Sequence, residues 1–259
     1  MMLKHFFAVL ILIILTGVAY GQPKNQRDAA GLRQGFWEAV DNRGMPVFSG
    51  YFKDDKPIGE MTRYFPTGGV RSIMNHDDTG VNARARLFWP NGEIAAQGIY
   101  VNTQRDSVWL FYNQIGTLMS RIEYKEGKQN GIEQKFYPNG IIFEEVNWKD
   151  SIKHGEWKQY FNNGQLKIAV NYINGSLEGQ YTSFYLDGNK EIEGVYKDGV
   201  PHGDWIRYKE NGEYAVTIKY NNGTIMNPDV LEEAERIFFE KAIDPELGLP
   251  ERTIEDLFR

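Results

Sequence analysis

Few residues in this chain are of a type and spacing that could do chemistry. There are four histidines and no cysteine among 259 residues. Without cysteine there is no disulfide, no thiolate nucleophile, no cysteine-ligated metal and no cysteine-linked lipid anchor. His154 and His202 lie 48 residues apart, each just before a glycine. A metal pair would need further ligands close by, so both read as structural. His76 falls in a slot that elsewhere holds an aromatic ring, and His5 falls in the leader. The carboxylate pairs Glu144-Glu145 and Asp77-Asp78 are adjacent in sequence. On a strand such neighbours point to opposite faces and do not converge as an acid and base would. No phosphate loop, serine elbow or His-Glu-x-x-His is present. The expectation is a non-enzymatic chain with no metal and no cofactor.

The aromatic residues are the remaining candidates, and their spacing leads to the elements that hold them. Trp37, Trp109, Trp157, Tyr181 and Trp205 stand two residues after members of the series Gly35, Gly59, Ala83, Ser107, Gly131, Gly155, Gly179 and Gly203. Every step of that series is 24. Nine residues after each member comes a turn glycine, from Gly44 to Gly212, and all eight are present. A fixed period of this size without insertion marks a repeat architecture. Eight units fill residues 32–223.

Each unit reads as a β-hairpin. Asn-Gly at the first turn tolerates positive φ, and Leu166, Ile168, Val170 and Tyr172 alternate along the returning strand. A second turn, such as Asn174-Gly175, leads to the next hairpin. The period leaves no room for a crossover helix, so neighbours should be antiparallel. A lone hairpin is marginal in water, and stacking edge to edge gives one continuous sheet of about 16 strands. The leading glycines are expected to let a ring from a neighbouring strand cross the backbone. Units led by Ala83 and Ser107 should be the less regular ones. The fold class expected is all-β, an elongated single-layer antiparallel hairpin array with a short C-terminal α-helical cap.

The flanks differ. Lys4, the apolar run Phe6–Leu15 and small residues to Gly21 have the three regions of a secretory signal peptide over residues 1–21. An uncleaved anchor is the alternative, although the run is shorter than the roughly 20 residues of a span. Export to the periplasm, cell envelope or exterior is therefore expected. Residues 22–31 read as a flexible lead-in. Residues 224–259 hold ten Asp/Glu against four Lys/Arg, in a chain of formal charge −6. The array is near neutral, with no basic stripe, so no nucleic-acid partner is expected. In the tail, Asn227-Pro228 reads as a helix start and Leu231, Ala234, Phe238 and Ala242 as an apolar face. That helix either caps the last strand edge or docks a partner through Leu231, Phe238 and Phe239.

Phe-Tyr-Pro-Asn-Gly (136–140), Tyr-Phe-Asn-Asn-Gly (160–164) and the openings Lys-His-Gly-Glu-Trp (153–157) and Pro-His-Gly-Asp-Trp (201–205) resemble the MORN repeat, in its bacterial 24-residue variant. The resemblance covers residues 32–223. It implies the hairpin array, and it implies several kinds of function: scaffolds, membrane-associated proteins and proteins labelled antitoxins. Three expectations follow. The first is a protein-interaction scaffold using Trp37, Trp109, Trp157, Tyr181 and Trp205 as a surface, set against the default that most rings of a single-layer sheet are its core. The second is a glycan or cell-wall binder stacking sugars on those rings. The third is an antitoxin-like or lipid-surface protein, against which the neutral array weighs where anionic lipid is concerned.

Overall fold

The computed structural model describes residues 23–231. The leader expected over residues 1–21 and the tail residues Phe238 and Phe239 lie outside them. Repetition of the 24-residue pattern produces eight hairpins in a row. They are β2 (Arg33–Val40) and β3 (Pro46–Lys53), β4 (Lys56–Tyr64) and β5 (Val70–His76), β6 (Asn82–Phe88) and β7 (Ile94–Val101), β8 (Gln104–Tyr112) and β9 (Leu118–Lys125). The second half holds β10 (Lys128–Phe136) and β11 (Ile142–Lys149), β12 (Ile152–Tyr160) and β13 (Leu166–Ile173), β14 (Ser176–Phe184) and β15 (Lys190–Lys197), β16 (Val200–Tyr208) and β17 (Tyr214–Asn221). Short strands β1 (Gln26–Arg27) and β18 (Thr224–Ile225) flank them. Each strand pairs antiparallel with its sequence neighbours, giving one open sheet.

The two turns of a unit use different chemistry. At the first turn Gly140 is left-handed at φ 84° and its N–H donates to the Tyr137 carbonyl. Asn139 is not left-handed; its side-chain oxygen accepts from the Ile141 N–H at 3.1 Å. The asparagine thus braces the turn, and glycine alone supplies the positive φ. At the second turn both central residues are left-handed, as at Asn174 (φ 51°) and Gly175 (φ 87°), the two-residue form whose twist matches the strands.

His154 and His202 have a place in this scheme. Their Nδ1 atoms each accept from a turn N–H twenty residues on, that of Asn174 and of Asn222, at 3.4 Å. Gln34, Asp106 and Glu178 occupy the equivalent position and do the same for Asp54, Glu126 and Asp198.

The leading glycines correct an expectation. They lie where two extra residues bulge out of the strand, as between Val146↔Trp157 and Trp148↔Lys153. Gly155 is there at φ 105°, and a side chain on Gly35, Gly59, Gly179 or Gly203 would meet nothing within 4 Å. No ring crosses these positions. Glycine is needed because a bulge demands positive φ. Ala83 and Ser107 then part ways. Ser107 keeps the bulge at φ 58°. At Ala83 the bulge is gone: β5 and β6 pair without a shift from Ser72↔Leu87 to His76↔Ala83. The two residues released go into a longer turn, Asp77–Asn82, so the period of 24 is kept. One substitution should therefore have opposite signs at the two sites. We expect Ser107→Gly to raise stability by about 0.5–1 kcal/mol, by relieving φ strain, and Ala83→Gly to lower it by a similar amount. Chemical denaturation of both variants checks this, and a shared sign contradicts it.

The flanks also differ from expectation. The stretch 22–31, read as a flexible lead-in, carries β1 at Gln26–Arg27, and Asn25 accepts from the Glu38 N–H at 2.9 Å. At the other end Pro228–Val230 is a 3-10 turn, and the expected α-helical cap is not what the described residues show. Asn227 makes no helix-cap bond. Its side chain takes the Lys219 N–H at 2.7 Å and donates to the Thr217 carbonyl at 3.0 Å. Val230 and Leu231 pack on the last aromatic cluster. Both outermost edges are thus occupied by an asparagine, which blunts the unpaired strand.

Candidate functional site

A sheet of one layer must bury its apolar face with its own side chains. In this chain the burial falls on one face, at the residues 2, 4, 13, 15 and 17 places after the leading residue of each unit, named below by those offsets. The second and fifteenth residues pair across strands to make a central spine: Trp109↔Ile122, Glu133↔Val146, Trp157↔Val170, Tyr181↔Gly194 and Trp205↔Ile218. Rings at the seventeenth position lean on it, with Tyr100–Trp109 centroids at 4.8 Å and Tyr196–Trp205 at 4.9 Å, both edge-on. The indole N–H groups of Trp109 and Trp205 donate to the Ile99 and Val195 carbonyls. These rings cover backbone on their far side: a Cβ built on Gly98 or Gly194 would lie 2.4 or 2.3 Å from the indole. Crossing of glycine by a ring does occur, then, at the fifteenth residue and not at the leading one. An isolated glycine inside a strand pattern was the available sign of it.

The five ring positions expected to form an interaction surface are mostly absorbed by this packing. Trp109 is 0% exposed and Trp205 3%, which removes both from contact with any ligand. Trp37, Trp157 and Tyr181 are half-buried. Burial pushes the Tyr181 hydroxyl up to about 12. Stacking of sugars along the ladder loses two of its five rungs. Leu231 is half-buried against the array, so its apolar surface serves the end cap.

The spine lacks rings at two successive units, where Met61 and Ala85 stand in the ring position. The face there is recessed. A groove of about 970 Å³ opens over β2 to β7, lined by Phe52, Met61, Met74, Ala83, Leu87 and Tyr100 along its floor. The long Asp77–Asn82 turn walls one end through Gly80 and Val81, and the Trp89-Pro90 turn walls the other. This recess sits beside the junction that drops the bulge.

Its charges are one-signed. Among the described residues Arg33, Arg63 and Arg71 line it, with no aspartate or glutamate, and His76 adds an imidazole ring. Arg33 is paired with Asp55 at 2.7 Å and lies over the Phe52 ring. Among the described residues Arg63 and Arg71 have no carboxylate within ion-pair distance, and both are exposed. The Asp77 carboxylate faces its own turn, accepting from the Thr79 hydroxyl, the Asn82 amide and the Val81 N–H, which hold it down to about 2. The sequence alone points to neither Arg63 nor Arg71, because the recess comes from absent rings.

Both ring nitrogens of His76 are buried without a hydrogen-bond partner. Desolvation draws its pKa below the ordinary 6.5, against a small opposing pull from Asp77. The unfolded chain therefore takes up the proton more readily. Stability is full above about pH 6.5 and falls as the pH drops from there toward the lowered folded value. His76→Tyr, which restores the ring usual at this slot, should lose less melting temperature than the parent between about pH 7.5 and pH 5.5. Equal losses would show that His76 is not the group responsible.

Comparison with known proteins bears on the array. No curated protein matches the chain significantly. The family model for the MORN repeat variant matches residues 129–150, 153–174 and 177–198. Those stretches are β10–β11, β12–β13 and β14–β15, and the hairpins on either side repeat their pairing. Residues 129–198 carry three consecutive repeats of the MORN variant, set within one antiparallel hairpin array.

Proposed function

We propose that this chain is an exported, non-enzymatic scaffold that holds partner polypeptides on its sheet. The recess over β2–β7 is its docking place, and the preferred segment is apolar and acidic. The observation that carries the reading is the lining of the recess: an apolar floor, a rim of arginines and no acid, in a chain of net charge −6. Such a groove suits carboxylates that flank buried apolar side chains. Its length favours a polypeptide, since it crosses the strip along strands of seven to nine residues, about 23–30 Å. Export rests on the signal-like pattern of residues 1–21.

A titration tests it with two designed peptides of equal apolar content, one acidic and one basic. The acidic peptide should bind at micromolar strength, weaken with salt, and lose at least tenfold with the charge reversals Arg63→Glu and Arg71→Glu. Equal binding of both peptides, or no loss on charge reversal, defeats the proposal.

A further inference from the structure

We infer that the recess accepts the acidic tail of a second copy of this chain, an assignment that rests on reading the recess as a polypeptide site. Residues 232–259 hold nine Asp/Glu and four Lys/Arg, with Ile237, Phe238 and Phe239 between the acids. That is the chemistry the lining asks for: rings for the floor of Met61, Met74 and Leu87, and carboxylates for Arg63 and Arg71.

Reach decides between the chain's own tail and another's. Leu231 packs beside β17, and the nearest strand that lines the recess is β7, ten strands away. Ten strand spacings are about 48 Å along the sheet. Phe238 is seven residues past Leu231, which spans about 24 Å fully extended. The paired phenylalanines therefore cannot enter the recess of their own array. They can enter that of a neighbour. The contact is heterologous, tail of one copy to recess of the next, and it leaves a free recess and a free tail at the two ends. Association should grow with concentration and weaken with salt.

Sedimentation of full-length protein tests this by complementation. One variant carries Arg63→Glu and Arg71→Glu, which disable the recess. The other carries Phe238→Ala and Phe239→Ala, which disable the tail. Arg63 and Arg71 are exposed, Phe238 and Phe239 lie outside the described residues, and melting curves confirm that the folds are kept. The parent should form dimers and larger species, each variant alone should be monomeric, and a mixture of the two should give a dimer and nothing larger. Variants that associate like the parent, a mixture that stays monomeric, or a monomeric parent overturn the inference. A synthetic peptide of residues 232–259, titrated beside the designed acidic peptide, separates the two levels. If the designed peptide binds and the tail peptide does not, the recess reading stands and this inference falls. If neither binds, both fall.

Discussion

Placing a single methyl group on Gly194 should cost the array roughly 3 kcal/mol, a loss of the size seen for damage to a buried ring. The backbone of Gly194 is not in the left-handed region, so the cost is steric alone. The new Cβ would fall 2.3 Å from Trp205 Cδ2, deep in a ring that cannot tilt away. Tyr181 stacks on that indole at 5.2 Å, while Tyr196 and Tyr220 hold its edges at 4.9 and 6.0 Å. Trp205→Ala alone should cost about 3–5 kcal/mol. Once the indole is gone, the glycine has nothing to avoid. The double variant Gly194→Ala, Trp205→Ala should then be little worse than Trp205→Ala, a strongly non-additive cycle. Denaturant titration of the four proteins gives the coupling. Additive losses would mean that the ring does not lie on the glycine.

Deleting residues tests the repeat on a larger scale. Removing Gly155–Glu178, one full period, brings Gly179 into the place of Gly155 and sets Tyr181 opposite Val146. One unit along, Tyr181 already packs against the cluster that holds Val170. The shortened chain should keep its β spectrum and melt cooperatively, with a lower midpoint, since each unit leans only on its neighbours. Removing Ser151–Asn162 instead takes out β12 and half its turn. It would leave β11 and β13 running the same way across a connection of a few residues, which parallel neighbours cannot use. That chain should lose its cooperative transition by circular dichroism. Survival of the half-unit deletion would show that the rung is not the two-stranded hairpin.

Much of the architecture is legible in the residues. Eight turn glycines in phase fix the hairpin count, and the alternation from Leu166 to Tyr172 fixes which side of β13 is packed. Three kinds of detail are not legible, each for a physical reason. Both Gly155 and Gly194 are glycines within a strand, yet one is required by φ and the other by a ring from the next unit. The letter is the same, and only the backbone angle tells them apart. Ala83 and Ser107 look like equivalent replacements, yet one loses the bulge and the other bears the strain, because the turn before Ala83 can absorb two residues. Asn227 reads as a helix cap from its proline neighbour, and it serves the edge of β17, a partner that local sequence does not reveal.

The site was harder still. Sequence draws attention to large rings, and the ladder of tryptophans is the first surface it suggests. In a single-layer sheet those rings are the core. The recess arises where they are missing, at Met61 and Ala85, and its arginines stand out only because the fold brings Arg63 and Arg71 together without an acid.

Hydrogen exchange followed by mass spectrometry, on the full-length protein with and without a saturating acidic amphipathic peptide, tests the assignment of that recess most directly. Slowed exchange should be confined to residues 52–103, strongest in the Asp77–Asn82 turn and in β6. Slowing along β8–β17, where the buried indoles of Trp109 and Trp205 lie, or no slowing anywhere, would contradict it.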